Sequence, residues 1–118
     1  MTPDSLRDLC LGLPQATETF PFGEGLSVFK TSGNGKIFAL SSLDAVPFSV
    51  SLKCDPEESV ALRQQYPAIT PGYHLNKKHW ISISLGETVG PSVPDDLVEQ
   101  LVRESHALVR PKVPRARG

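Results

Sequence analysis

The chain has 118 residues, of which 39% are hydrophobic, and a formal net charge of −1. This length and composition predict one globular domain with a modest core, and the 21% of charged residues argues against wholesale disorder. A net charge near zero counts against a dedicated nucleic-acid binder, which is usually basic, and no apolar run approaches the roughly 18 residues that span a bilayer.

The N-terminal residues and the cysteines predict a location. Thr2-Pro3-Asp4 does not resemble the basic and then apolar start of a secretory signal. Cys10 and Cys54 are far apart and form no CxxC motif. We therefore expect a cytoplasmic protein with free thiols.

The first helix is predicted to begin at Thr2, a residue suited to the N-cap, followed by Pro3 at the first helical position. Gly12 and Pro14 end it. Its apolar stripe consists of Leu6, Leu9, Cys10 and Leu13.

Two strands and a turn are predicted next. Segments 26–30 and 36–43 flank a turn whose Asn34-Gly35 pair tolerates positive φ, which indicates a β-hairpin. In the following strand, 48–54, apolar and polar residues alternate, so that one face is directed to the core. The polar positions are Ser49, Ser51 and Lys53.

The second half of the chain repeats these signals. Asp55-Pro56 opens a helix that runs to about Tyr66. Segment 79–85 alternates, with Trp80, Ser82 and Ser84 on one side. Pro94-Asp95-Asp96 opens the last helix, with His106 on its solvated side. The stripe predicted to be buried in that helix is Leu97, Val98, Leu101, Val102, Ser105, Leu108 and Val109.

This order predicts an α+β, two-layer sandwich with an antiparallel sheet and helices on one face. Residues 1–110 form the predicted domain, and 111–118 read as a flexible basic tail. The other sheet face would be rich in serine and carry Lys53 and Trp80, either as a binding surface or as a solvated face with one partly buried tryptophan.

Motifs for catalysis and metal binding are weak. His74 and His79 lack a nearby carboxylate or cysteine, and neither cysteine has neighbours that would activate it. Glu18 and Glu24 bracket the aromatic segment 20–22 and could form a carboxylate pair with raised pKa values, although surface acids beside core aromatics are commoner. We expect no enzyme, no metal and no cofactor.

Residues 71–80, Pro-Gly-Tyr-His-Leu-Asn-Lys-Lys-His-Trp, combine adjacent cations with aromatic and amide groups. Cations can position phosphates, while flat rings and amides can reach bases. The alternative is a solvated turn whose aromatic side chains anchor it to the core.

Segment 71–80 closely resembles the signature of the MmcQ/YjbR family. Further similarities lie in 13–14, 16–18 and 20–25 (Phe20-Pro21-Phe22-Gly23-Glu24-Gly25), in 28–30 and 36–40, in 51–56 and in 93–97. The resemblance covers about residues 6–109.

The resemblance implies an α-β-β-β-α-β-β-α order, with a strand near Ile69, and a shape like that of secretion chaperones and CyaY. The family is described as a DNA-binding group with a double-wing arrangement, which would make this chain a non-enzymatic DNA-binding protein. We expect it to be a monomer. The expected contacts are Lys53, Tyr73, His74, Asn76, Lys77, Lys78, His79 and Trp80, with Lys30 and Lys36 as further phosphate contacts. A protein-interaction or small-ligand module on the same sheet face is the alternative, and an unrecognised enzyme the third.

Overall fold

The computed structural model describes residues 1–45, 48–72, 75–86 and 91–110. Within them, three helices and six strands follow one another along the chain. Their bounds are α1 Pro3–Leu11, β1 Ala16–Thr19, β2 Ser27–Thr31, β3 Ile37–Ser41, β4 Ser49–Lys53, α2 Pro56–Gln65, β5 Ile69–Pro71, β6 Trp80–Ser84 and α3 Asp95–Val109.

The strands form one sheet in the order β1-β2-β3-β4-β6-β5, and every neighbouring pair is antiparallel. This confirms the predicted α+β class and the strand near Ile69. Four strands precede α2 instead of the expected three, because β1 lies where only a connection was predicted. The third residue of β1, Glu18, lies on the inner face opposite Phe29. A polar residue at an inward position breaks the alternation of polar and apolar residues by which a strand is predicted.

All three helices cover the same face of the sheet. Leu6 of α1, Leu62 of α2 and Val102 of α3 belong to one buried cluster with Leu52 and Ile81 of the central strands. The predicted caps start two of these helices. The Thr2 side chain accepts a hydrogen bond from the Ser5 amide, and the Asp55 carboxylate accepts from the amides that follow it.

A bulge in β3 adjusts its fit to the core. The register places Phe29 opposite Ala39 and Lys30 opposite Ile37, so Phe38 is the additional residue. Phe38 and Ala39 both join the buried cluster, which explains how two consecutive residues of one strand can face the helices.

On β4, β5 and β6, the face away from the helices is the polar one that the alternation predicted. Cross-strand partners in an antiparallel pair lie on the same side of the sheet. The residues of this serine face are Ser49, Ser51 and Lys53 of β4, Trp80, Ser82 and Ser84 of β6, and Thr70 of β5.

Two residues of α3 are placed differently from the sequence prediction. His106 is 3% exposed, and its Nε2–H donates to the Pro14 carbonyl at 2.8 Å while the ring meets Phe38 edge-on. The prediction of a solvated His106 was wrong because its partners are distant in sequence. Leu108, predicted to be buried, is 57% exposed.

The β2–β3 turn also differs in detail. Gly35 has a φ of 68°, whereas Asn34 does not have positive φ. Asn34 instead donates its side-chain amide to the Val109 carbonyl at 2.8 Å and accepts from the Thr31 hydroxyl. The turn is therefore attached to the last residue of α3.

Across the described ranges, no helix combines the length and the apolar character that crossing a membrane requires.

Candidate nucleic-acid interface

Hydroxyl groups form the centre of the serine face, and a lysine and a tryptophan lie side by side at its end. The hydroxyls of Ser51 and Ser82 are 2.8 Å apart, which is a hydrogen bond between neighbouring strands. The Thr70 hydroxyl lies 3.5 Å from the Ser82 carbonyl. One residue pair further along, Lys53 is directly opposite Trp80, so a positive charge and a flat ring are adjacent on the same surface.

A buried serine from the helical layer holds Lys53 in place. Ser105 of α3 is fully buried, and its hydroxyl donates to the Phe38 carbonyl at 2.6 Å and accepts from the Lys53 amide at 2.9 Å. The next residue, Cys54, donates its amide to the His79 carbonyl at 2.8 Å. The end of β4 is thus bonded to α3 on one side and to the loop before β6 on the other.

Asn76 organises the loop that carries the adjacent lysines. Its side-chain Oδ1 accepts from the Lys78 amide at 2.9 Å, and its carbonyl accepts from the amides of His79 and Trp80. Asn76, Lys77, Lys78 and His79 are all exposed. Because Asn76 folds the turn with its own oxygen atoms, it also has a structural role that the sequence analysis did not anticipate. Tyr73 and His74 lie outside the described residues.

Gly72 permits a close approach of the chain to Trp80. A Cβ atom at Gly72 would lie 2.6 Å from the Trp80 Cβ, a distance at which one of the two must move. The Gly72 amide donates to the Trp80 carbonyl at 2.9 Å. Only glycine fits here, and this contact fixes the loop against the first residue of β6.

The predicted lysine contacts gather at one end of the sheet. The β2–β3 turn lies at the end where β2 finishes and β3 begins. Since β4 is antiparallel to β3, Lys53 at the close of β4 reaches the same end, as does the loop entering β6. We call this the lysine end; its members are Lys30, Lys36, Lys53, Lys77 and Lys78.

Acidic residues are concentrated in the other layer. Within the described strands, Glu18 is the one acidic residue, and its carboxylate points to the helical side. The serine face of these strands therefore carries no carboxylate. Helices and their N-caps contain most of the acids, namely Asp4, Asp8, Asp55, Glu57, Glu58, Asp95, Asp96, Glu99 and Glu104. These acids outnumber the arginines of the helices, Arg7, Arg63 and Arg103, so the net charge of −1 conceals an excess of negative charge in the helical layer.

The candidate carboxylate pair for acid–base catalysis does not form. Glu18 accepts from the Arg7 guanidinium and the Ser27 hydroxyl, both at 2.8 Å, and is committed to joining α1 to the sheet. Glu24 is exposed, and Phe20 and Phe22 are exposed as well, at 48% and 69%. The segment 20–22 is therefore not the core aromatic cluster that the sequence analysis considered beside these acids.

Both cysteines are free and buried, as predicted. Burial, followed by the negative charge of Glu18, raises the pKa of the Cys10 thiol to about 12. Burial, followed by the charges of Glu58, Glu104 and Asp55, raises the pKa of Cys54 to about 11. Neither is a thiolate nucleophile near neutral pH. In the described ranges, no three His, Cys, Asp or Glu side chains are grouped so that they could hold a metal ion.

Comparison with known proteins identifies the relatives of this chain. A family model described as YjbR matches residues 11–108. The uncharacterized protein YbdF of Escherichia coli O157:H7 is 47% identical over 96 residues, which cover 80% of this chain and 76% of YbdF. The uncharacterized protein YyaQ of Bacillus subtilis strain 168 is 47% identical over 51 residues, or 43% of this chain and 42% of YyaQ.

Two crystal structures have the same fold. Deinococcus radiodurans protein DR2400, described by the family-model domain DUF419, superposes with a TM-score of 0.81 and 43% identity, over 91% of this chain and 77% of its own. A Pseudomonas syringae protein superposes with a TM-score of 0.76 and 26% identity, over 93% of this chain and all of its own.

Proposed function

We propose that this chain, which belongs to the YjbR family, is a non-enzymatic DNA-binding protein that uses its serine face and lysine end. The observation that carries the proposal is the separation of charge between the layers. A phosphate backbone approaching the lysine end meets five lysines, whereas one approaching the helices meets an excess of carboxylates. A net charge near zero is compatible with binding when the two signs occupy different faces.

The chemistry of the surface supports contacts to more than phosphate. Trp80, the single tryptophan of the chain, offers a ring for stacking, and base–aromatic stacking contributes about 1–3 kcal/mol per base. Ser51 and Thr70 provide hydroxyls that can bond to phosphate oxygens. His79 and the lysines of its loop are exposed beside them.

In this proposal, the two wings of the double-wing arrangement are two loops at the lysine end. One is the turn 32–36, which carries Lys36, and the other contains residues 75–79. Both are attached to rigid structure, the first by the bond from Asn34 to α3 and the second by the bonds around Asn76. Loops held in this way lose little conformational freedom when a ligand binds.

Salt dependence tests this proposal. Fluorescence anisotropy with labelled single-stranded and duplex DNA should show affinity that falls between about 50 and 200 mM salt. In the variant Lys77→Ala/Lys78→Ala, the slope of log affinity against log salt should become shallower by about two, since each phosphate contact contributes about 0.7–0.9. Quenching of Trp80 fluorescence by unlabelled DNA would report the same event.

The matched control is Arg63→Ala/Arg103→Ala. It removes the same amount of positive charge from the helical layer, where Arg63 bonds to Ser59 and Arg103 to Glu99, and should leave the slope unchanged. Absence of binding to either form of DNA at low salt, or equal loss in both double variants, would refute the proposed interface.

A further inference from the structure

The two edges of the sheet differ in their capacity to pair with a further strand. Among the described residues, the outermost strands are β1 and β5. Strand β5 ends in Pro71, and a proline on an edge strand removes a donor and so discourages pairing. Strand β1, with the sequence Ala-Thr-Glu-Thr, contains neither proline nor lysine. Its outer edge therefore lacks the two residue types that most often close an edge strand.

The backbone of β1 alternates between groups that bond to β2 and groups that point to the open edge. The Gln15 carbonyl accepts from the Ser32 amide at 2.8 Å, and the residues that exchange hydrogen bonds in an antiparallel ladder recur at every second position. Thr17 and Thr19 therefore direct their backbone groups to β2. Glu18, between them, directs its N–H and C=O away from β2, to the open edge.

Exposed aromatic residues adjoin this edge. Phe20 directly follows β1 and lies two positions after Glu18, so a ladder extended along the open edge would next use the Phe20 backbone. The side chains of Phe20 and Phe22 are both exposed. Large apolar groups grouped on a surface mark a site of association, and here they lie beside unpaired backbone groups.

The one charged residue of β1 does not close the edge by itself. A charge that points inward from an edge strand is a common device against pairing. The Glu18 side chain, however, is 9% exposed and accepts from the Arg7 guanidinium and the Ser27 hydroxyl, both at 2.8 Å. A second strand would therefore meet a carboxylate that is already paired, provided that its own residue at that position is not another carboxylate.

A second copy of the chain would pair with this edge around a two-fold axis. Such an axis passes through one residue of an antiparallel pair, because opposite side chains lie on the same face of the sheet. An axis at Glu18 would place two carboxylates opposite each other. An axis at Thr17 would require the Ala16 amide, which already donates to the Leu13 carbonyl at 3.1 Å.

An axis at Thr19 meets neither obstacle. Glu18 of each copy would then be opposite Phe20 of the other, and each such pair would exchange both of its backbone hydrogen bonds. The two Thr19 side chains would face each other, a favourable cross-strand pair. Pro21 would be opposite Thr17, at a position of the ladder that requires no N–H. The side chain of Phe20 would become covered by the second copy.

We propose that the chain associates with a second copy of itself through β1, so that the two sheets become one antiparallel sheet across a two-fold axis at Thr19. This dimer replaces the monomer that the sequence led us to expect. The contact involves none of the residues of the lysine end, so it stands or falls independently of DNA binding.

Sedimentation equilibrium of the full chain, from about 10 μM to 1 mM, tests the association. A contact between single edge strands belongs with small interfaces, which are weak. The mass should therefore rise with concentration from 12.8 kDa toward twice that value. A mass that stays at 12.8 kDa up to about 1 mM would overturn the proposal.

Charges introduced at the axis test the register. Thr19→Lys would place two like charges opposite each other and should weaken the dimer about tenfold or more, and Thr19→Glu should do the same. An equimolar mixture of the two variants should associate again, because opposite charges then face each other. The matched control Thr17→Lys carries the same charge on the same face of β1, but opposite Pro21, and should associate as the wild type does. Far-ultraviolet circular dichroism would establish that each variant is folded.

Hydrogen exchange of the backbone amides reports the pairing directly. The amides of Glu18 and Phe20 should exchange more slowly as the protein concentration rises, whereas those of Thr17 and Thr19, bonded to β2, should not change. Exchange at Glu18 that is the same in monomer and dimer would place the contact on another surface. Association that persists in Thr19→Lys but is lost in Phe20→Ser/Phe22→Ser would assign it to the aromatic side chains alone. Either result would overturn pairing through β1.

Discussion

Replacing Ser105 by alanine tests how the binding face is connected to the helical layer. The Ser105 hydroxyl bonds to both the Phe38 carbonyl and the Lys53 amide, groups on neighbouring strands. The pairing of β3 with β4 consists of Ala39 with Leu52 and Leu40 with Ser51. Ser105 therefore takes the place of the next rung, at the point where these two strands separate.

The expected loss of stability follows from two backbone groups left without partners. A buried donor or acceptor that loses its hydrogen bond costs about 1–3 kcal/mol. Alanine favours the helix over serine by about 0.5 kcal/mol, which offsets a small part. We expect Ser105→Ala to lower the free energy of unfolding by about 1.5–5.5 kcal/mol.

Urea unfolding measures this change as a shift of the midpoint with an unaltered m-value. Gln100→Ala, at an exposed position of the same helix, is the control for helix propensity and should stay within about 0.5 kcal/mol of the wild type. A Ser105→Ala variant as stable as this control would refute the reasoning. It would mean that β3 and β4 close up and that Phe38 and Lys53 pair directly.

Three further predictions concern pH, the loop and the thiols. Because the pKa of Glu58 is raised in the folded state, the wild type should lose stability relative to Glu58→Gln as pH rises from about 4 to 7.5. Urea midpoints of both proteins at the two pH values measure this change. A wild type that instead gains stability relative to Glu58→Gln over this range would contradict the assignment. Gly72→Ala, whose new Cβ would lie 2.6 Å from that of Trp80, should destabilise the fold by about 1–3 kcal/mol, whereas Gly25→Ala, with nothing within 4 Å, should be nearly neutral in the same unfolding assay. The two cysteines, with pKa values raised to about 12 and about 11, should react with a thiol reagent at neutral pH only after urea unfolds the chain, and rapid labelling of the native protein would show that one of them is accessible.

The parts of the fold that could be predicted are those with a local signal. Alternation within 48–54 and 79–85 assigns the two faces of β4 and β6 because successive side chains of a strand point to opposite sides. The caps at Thr2 and Asp55 were predictable for a similar reason, since an N-cap bonds to amides two or three residues away. Segment 71–80 identified the family by its order of residues, and the comparison confirms it.

The parts that were missed depend on partners far along the chain. Strand β1 was missed because its inward residue, Glu18, is charged and is stabilised there by an ion pair with Arg7, eleven residues earlier. His106 appeared solvated because its acceptor, Pro14, is at the other end of the sequence. The acids between α2 and α3 gave no motif, since Glu58 and Glu104 meet only when the two helices pack on the sheet.

These distant contacts concentrate around the last turns of α3, next to the lysine end. Ser105 bonds to β3 and β4, His106 to the segment after α1, and the Val109 carbonyl to Asn34 of the β2–β3 turn. Each of these bonds joins the helical layer to a strand or turn that lies at that end of the sheet. The arrangement bonds the lysine end to the helical layer at several points. A ligand at the lysine end would meet groups already held in position, so little of its binding energy would be spent on ordering the protein.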